Sequence, residues 1–374
     1  MRATFEEIFS EIEDPRIERT KRHKLLDILG VAILSVIAGA QSFGEIEDFG
    51  NVHFNWFKNH FELSHGILSH DTFERLFSRL DPNSFQKAWL DWLSNLKSLL
   101  PESVIAVDGK TLRGSHQRSK GLKGLHVVSA WSCENELSLG QIKVNSKSNE
   151  IIAIPELLEQ IAIKGAIITI DAMGCQRNIA EKIISLSGDY VLTVKANQGT
   201  LEEALTDTIE KVMNQPENTR LYYTAVDNIE CSHGRIESRE CTVLPAMYQP
   251  LLSKKWKNIA SLIKLKSTRE IGDNTFIETR YFISSLSPKS PEKIMRAIRS
   301  HWHIENKLHW VMDVTFKEDS CRVRNENSAL NLSWMRKMAL ALLKKEDSYK
   351  ASIRRKQLKA WAKPEYLLKI IEQI

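Results

Sequence analysis

Apolar positions recur at helical spacing in three early stretches, residues 5–12, 25–38 and 85–96. That period predicts amphipathic or buried helices. Ser69-His70-Asp71-Thr72 leads into Phe73, Leu76 and Phe77, a capping segment followed by an amphipathic turn, and Asp81-Pro82-Asn83-Ser84 marks a break and restart. Residues 1–98 are therefore expected to form an all-helical domain. A helix-turn-helix and a plain helical packing domain fit the pattern equally. The apolar run over residues 28–40 falls short of the roughly 20 residues a membrane helix needs. It reads as a buried core helix, and no membrane partner is expected. Acids and Arg19, Lys21 and Arg22 precede it, which is not the order of a signal peptide.

At Pro101 the texture changes. Residues 103–107 are apolar and rich in β-branched side chains, and residues 125–131 and 137–144 read as two further strands joined by a polar turn. A helix over 151–163, a buried strand over 166–170, a helix over 176–186 and a strand over 190–194 follow. Three strands close in sequence suit an antiparallel meander, and strands alternating with helices suit parallel pairing. The expected fold class is mixed α/β, a sheet with flanking helices. Short strands at 221–226, 235–243, 258–267 and 276–284 form a β-rich insertion, about 200–290, before helical texture returns at Pro291. The expected catalytic domain spans residues 99–345.

Hydrophobic residues make up 42% and charged residues 26% of the chain, ordinary values for a globular protein. The net charge of +5 matches that of residues 344–374, where nine basic residues face four acids. A basic segment, 346–374, on a neutral body fits a phosphate-backbone contact or a solvated helix face. Five scattered cysteines without a C-x-x-C pair point to a reducing, cytosolic setting and away from a disulfide scaffold or zinc ribbon.

The chemistry lies in the carboxylates. Val104-Ile105-Ala106-Val107 runs into Asp108-Gly109, and Ile167-Ile168-Thr169-Ile170 runs into Asp171, with Gly174 just beyond. Functional side chains often sit at strand ends in α/β sheets. Two close carboxylates repel unless a proton or cation intervenes, and magnesium takes oxygen ligands of this kind. Each Asp alone would equally serve to open a turn. A third ligand is sought in the segment from Arg299 to Trp310. On an α-helix His301, Glu305, Leu308 and Met312 share a face, so Glu305 lies on a partly apolar face where an unpaired carboxylate is costly. A metal or an arginine would each relieve that cost, and Asp313, Glu318 and Asp319 are competing acids nearby.

The strings VDGKTLRG, TIDAMGCQ, LTVKANQ, HGRIESR and HWHIENKLHWVMDVTFKED occur in this order in one chain. Together they resemble the insertion-sequence transposases that include the H-repeat-associated proteins, of the Asp-Asp-Glu (DDE) superfamily. SFGEIEDFG and SHDTFERLFSRLDP resemble the helical domain that accompanies that catalytic domain. The resemblance implies a ribonuclease-H-like fold, with Asp108, Asp171 and Glu305 as catalytic and metal-holding residues. It implies two magnesium ions, with manganese able to substitute. It also implies a nucleoid-associated DNA transposase of the bacterial cytosol, acting on terminal inverted repeats and target DNA, with a homodimer as the form on DNA. Related transposases often carry Tyr, Arg and Lys at fixed offsets around the Glu. Here those positions hold Ile298, His301 and Met312, so their contact roles are not carried over.

Candidate DNA contacts are Lys110 and Arg113 beyond the first Asp, Lys195, Asn197 and Gln198 after a buried strand, and Arg299, His301 and Asn306 around the Glu. His233, Arg235 and Arg239 alternate with Glu237, which puts them on one strand face; a phosphate grip and an internal ion pair both suit them. His301, His303, His309 and Cys321 fit no zinc spacing. The alternative to an active transposase is a remnant copy acting only as a DNA-binding protein. A nuclease of the same fold that never joins strands is a third reading.

Overall fold

A computed structural model describes residues 2–96, 102–116, 121, 124–144, 150–216, 221–227, 230–232 and 235–372. Its centre is a sheet of ten strands: β1 (Val104–Leu112), β2 (Leu125–Ser132), β3 (Leu137–Val144), β4 (Ile167–Ile170), β5 (Asp189–Val194), β6 (Tyr223–Val226), β7 (Glu230–Ser232), β8 (Arg235–Pro245), β9 (Ser261–Ile271) and β10 (Asn274–Ser284). The order is β3-β2-β1-β4-β5-β10-β9-β8-β6, with β7 paired to β8. β1, β2 and β3 form the antiparallel meander, and β1, β4 and β5 run parallel. This is the ribonuclease-H-like order. The β-rich insertion continues the same sheet, because β10 pairs antiparallel with β5.

Both faces of the sheet are covered, which is why β4 reads as an unbroken apolar run, buried at all four positions. Alternation assigns the faces. Ile105 and Val107 of β1 and Ile168 and Ile170 of β4 belong to one core, together with α7 (Glu150–Glu159), α8 (Arg177–Ser185) and α9 (Gly199–Met213). Val104, Ala106 and Ile167 belong to the other, with α11 (Pro291–His303) and α13 (Glu326–Lys345). Successive strand residues point to opposite faces, so Asp108 and Asp171 fall on the α11 side. Between α9 and α11 lies α10 (Pro250–Lys255).

The first hundred residues supply six helices: α1 (Arg2–Phe9), α2 (Leu25–Ile37), α3 (Phe43–Val52), α4 (Phe54–Lys58), α5 (His70–Phe77) and α6 (Pro82–Leu96). The expected apolar run becomes α2, buried from Asp27 to Ile37, and it packs on α13. Among the described residues no helix is long and apolar enough to cross a membrane. The basic final segment forms α14 (Ile353–Ala362) and α15 (Glu365–Glu372), both packed on α13. Buried Glu346 accepts from Lys356 and from the Tyr366 hydroxyl. Lys359 sits 4.0 and 4.3 Å from the Tyr349 and Tyr366 rings, so cation–π attraction holds one of the segment's cations against the body.

Candidate metal centre

Asp171 follows the last residue of β4, whereas β1 runs on to Leu112 and holds Asp108 in mid-strand opposite Ser129, not at the strand end expected from the sequence. β1 and β4 bring the two acids together. Their parallel register pairs Val107 with Ile170, so the next residue on each chain, Asp108 and Asp171, stand side by side. Asp171 also opens a turn: its Oδ1 accepts from the N–H groups of Met173 at 3.0 Å and Gly174 at 3.3 Å. Gly109 follows Asp108 for a packing reason. A Cβ there would lie 2.3 Å from Glu150 Oε1 and 3.0 Å from His126 Nε2, a buried pair joined at 2.6 Å.

Glu305 arrives from the other direction. α11 begins with Pro291 in its first turn, a position where proline's missing N–H costs nothing, and buries Ile294, Met295, Ala297 and Ile298 against the sheet. At Ile304 the helix widens into a π-helical turn, Ile304–His309, before α12 (Trp310–Val314). Ile304, Leu308 and Met312 are buried, whereas the Glu305 side chain is 55% exposed. The regular α-helical face expected from the sequence does not describe this segment; a π turn shifts the side chains that follow it and is often found at functional sites.

The turn places His309 under Glu305. Its Nδ1 lies 3.3 Å from Glu305 Oε2 and 3.4 Å from Asp108 Oδ2. The ring is buried and its Nε2 has no hydrogen-bond partner. Asp108, Glu305 and His309 each offer a ligand atom, all within 4.8 Å of one another. Asp171 does not share that mutual spacing. His309 fits no zinc spacing, but it lies four residues after Glu305, a spacing that faces the two side chains toward each other, and the fold adds Asp108.

The electrostatics leave this cluster short of positive charge. Burial pushes the Asp108 carboxyl up to about 6, and the charges of Asp171 and Glu305 push the same way, with His309 and the Gly109 N–H opposing. Contact with His309 holds Glu305 below its ordinary range against burial. An oxygen-rich cluster with an under-compensated acid fits a hard divalent cation. His301, beside Asp171, lies 3.1 Å from the Thr169 hydroxyl, and burial pushes its pKa down to about 4, so it brings no charge at neutral pH.

The basic candidates are distributed unevenly. Lys110 turns inward, ion-paired with Asp313 and, at 3.1 Å, with Glu318. Burial opposes its charge, but Glu318 and Asp313 outweigh that and raise its pKa. This ties the strand of Asp108 to the helix that follows Glu305. Arg113 is 83% exposed and 3.6 Å from Asp319, and Gly114 packs where a Cβ would be 2.2 Å from the Cys321 carbonyl. Asn197 and Gln198 donate to the carbonyls of Ala172 and Cys175, stapling the Asp171 turn to the end of β5. Lys195 and Asn306 are exposed. Arg235 and Arg239 hold Glu237, while Arg239 and Arg299 flank Asp227; this group gathers around acids of its own. His233 lies outside the described residues.

Comparison with known proteins accords with this geometry. The family described as "Transposase DDE domain" matches residues 99–342, and the one described as "DDE_Tnp_1-associated" matches residues 6–93. The chain is 41% identical to YbfL of Escherichia coli (strain K12), across 98% of this chain and 97% of that protein. It is 40% identical, with the same coverage, to the protein of that strain named "H repeat-associated putative transposase YhhI". A protein of the dhlA 3′ region of Xanthobacter autotrophicus is 36% identical over 74% of this chain and 92% of its own length. Among solved structures, the piggyBac transposase in its synaptic complex with hairpin DNA overlays at a TM-score of 0.46 and 11% identity, across 99% of this chain and 80% of that one. With most of its length matched by the catalytic-domain family and close relatives along nearly all of it, the chain belongs to the DDE transposase family.

Proposed function

We propose that this protein is a DNA transposase that cuts the ends of its element and joins them to target DNA, with Asp108, Asp171 and Glu305 as the catalytic acids. The observation that carries the reading is the pairing of two carboxylates on neighbouring parallel strands, on the sheet face that Glu305 approaches, with Asp108 left under-compensated. These residues would hold two magnesium ions, with manganese able to substitute. Bound divalent ions supply charge stabilisation at phosphorus and a more acidic water.

The chain's own residues perform the positioning. β1 and β4 hold Asp108 and Asp171 side by side. The Met173 and Gly174 amides fix the Asp171 carboxylate, and Lys110 binds Asp313 and Glu318 so that the Glu305 helix stays against β1. The reaction is two phosphodiester exchanges. Water cuts at the element end and frees a 3′-hydroxyl, which then attacks a target phosphodiester; no bond to the protein forms. Exposed Arg113, Lys195 and Asn306 near this end are the proposed backbone contacts, and a homodimer pairing two DNA ends is the proposed working form.

The test is cleavage of a labelled DNA fragment carrying the element's ends, in magnesium, by wild type and Asp171→Ala. The variant is expected to bind the fragment but cut it at least about a thousandfold more slowly, since several kcal/mol of stabilisation are removed. Wild type that binds without cutting in magnesium or manganese would favour the remnant DNA-binding alternative. Cutting that survives the substitution would move the catalytic acids elsewhere.

A further inference from the structure

We infer that His309 is a direct metal ligand, and that the two cation positions of this site differ in chemistry: one mixed nitrogen and oxygen, from Asp108, Glu305 and His309, and one all-oxygen, between Asp108 and Asp171. The inference rests on the metal-site reading above and deepens it.

The geometry carries it. His309 Nδ1 is 3.3 Å from Glu305 Oε2 and 3.4 Å from Asp108 Oδ2. Charge-assisted hydrogen bonds between such groups close to about 2.7–2.9 Å. Atoms that share one cation at bond lengths of about 2.0–2.2 Å stand about 3.0–3.4 Å apart. His309 Nδ1 thus stands at the spacing of a shared coordination sphere from both carboxylates, and all three ligand atoms lie within 4.8 Å of one another. His309 is buried, its Nε2 has no hydrogen-bond partner, and it sits in the π-helical turn that packs against β1. Asp171 neighbours Asp108 across the β1–β4 pairing and lies outside the mutual spacing of the three. Asp108 is common to both positions.

The consequence is selectivity. Magnesium is bound through oxygen and holds its water tightly, whereas imidazole favours transition ions. The mixed position is expected to take Mn²⁺ at least about tenfold more tightly than Mg²⁺, and His309→Gln to remove about tenfold or more of that Mn²⁺ affinity, the scale on which metal sites respond to loss of supporting residues.

The experiment is electron spin-echo spectroscopy of Mn²⁺ added to the purified full-length protein without DNA, with binding isotherms for wild type, His309→Gln, His301→Gln, Asp171→Asn and Asp108→Asn. Wild type is expected to show ¹⁴N modulation from a directly bound imidazole. The modulation should be lost in His309→Gln, kept in His301→Gln, and kept in Asp171→Asn while one ion fewer is bound. Because the wild-type spectrum is itself a readout, a variant that fails to fold does not rescue the idea. Mn²⁺ bound with no ¹⁴N modulation, or modulation that survives His309→Gln, would overturn the ligand role. Loss of the nitrogen-coupled ion in Asp171→Asn would overturn the asymmetry. Should wild type bind no more Mn²⁺ than Asp108→Asn, the metal-site reading itself fails.

Discussion

Asp108 and Glu237 are two carboxylates in one sheet, and they are treated in opposite ways. Glu237, on the inserted half, is 8% exposed at its side chain, with Arg239 and Arg269 each at 2.6 Å and Arg235 at 3.8 Å. Burial works against its charge, but the hydrogen bond from Arg269 and the charges of Arg239 and Arg235 hold its pKa below the ordinary value. Asp108, on the meander half, has the carboxylates of Asp171 and Glu305 for neighbours and His309 Nδ1 at 3.4 Å, and burial pushes it up to about 6. A buried acid surrounded by arginines is already satisfied and serves packing. A half-buried acid among acids is destabilising until something positive arrives, and such strain collects at functional sites. Glu318 belongs with Glu237: although fully buried, it is held below its ordinary range by Lys110, Arg336 and Lys337.

The sharpest way to break the comparison is at the tie between the two classes. Lys110→Met strips Glu318 of its nearest cation and is expected to lower stability by about 3–5 kcal/mol, the usual cost of orphaning a buried charge, measured by denaturant unfolding. A loss below about 1 kcal/mol would mean that Arg336 and Lys337 suffice and that Lys110 is not the tie.

Glu237→Gln comes next. It leaves three arginines around a neutral amide and should cost about 3 kcal/mol at pH 7. Because the folded carboxyl lies below its ordinary value of 4.5, its stabilisation is present above that pH and is lost as pH falls. The gap between variant and wild type should therefore shrink below about pH 4.

Asp108→Asn should do the reverse. In EDTA, the folded carboxyl near 6 against an ordinary 3.8 means that stability is lost as pH rises through that window. Removing the charge should stabilise the metal-free protein by about 2 kcal/mol at pH 7, with no difference below about pH 4. A destabilised Asp108→Asn at pH 7 would end the contrast. The smallest effect is expected from Arg235→Ala. Its guanidinium is 44% exposed and 3.8 Å from Glu237, so thermal unfolding should register a change below about 1 kcal/mol.

Much of the scaffold was readable along the chain. The strand that leads into Asp171, the meander and the later helix–strand alternation each carry their own periodicity, and the apolar run of α2 announces a buried helix; β1 runs four residues past Asp108, where the apolar pattern had stopped. The β9–β10 hairpin runs further than its pattern, because residues 270–279 are exposed on both faces and are held by cross-strand hydrogen bonds, not by burial. The final segment looked like a charged extension, since Lys356 is a cation in sequence whichever way it points. Only the fold shows it buried on Glu346 and on the carbonyls of Leu343 and Glu346.

The sequence by itself determined which residues are apolar on which face, and hence that Asp108 and Asp171 leave their strands on the side away from Ile105, Val107, Ile168 and Ile170. The tertiary structure alone decided what those carboxylates meet. Lys110 finds its acids 203 and 208 residues away, and packing of the 304–309 turn against β1 sets His309 Nδ1 3.4 Å from Asp108. Periodicity reports burial, which each residue carries in its own chemistry. A charge is compensated or left waiting by whichever partner chain folding delivers, and no local pattern encodes that.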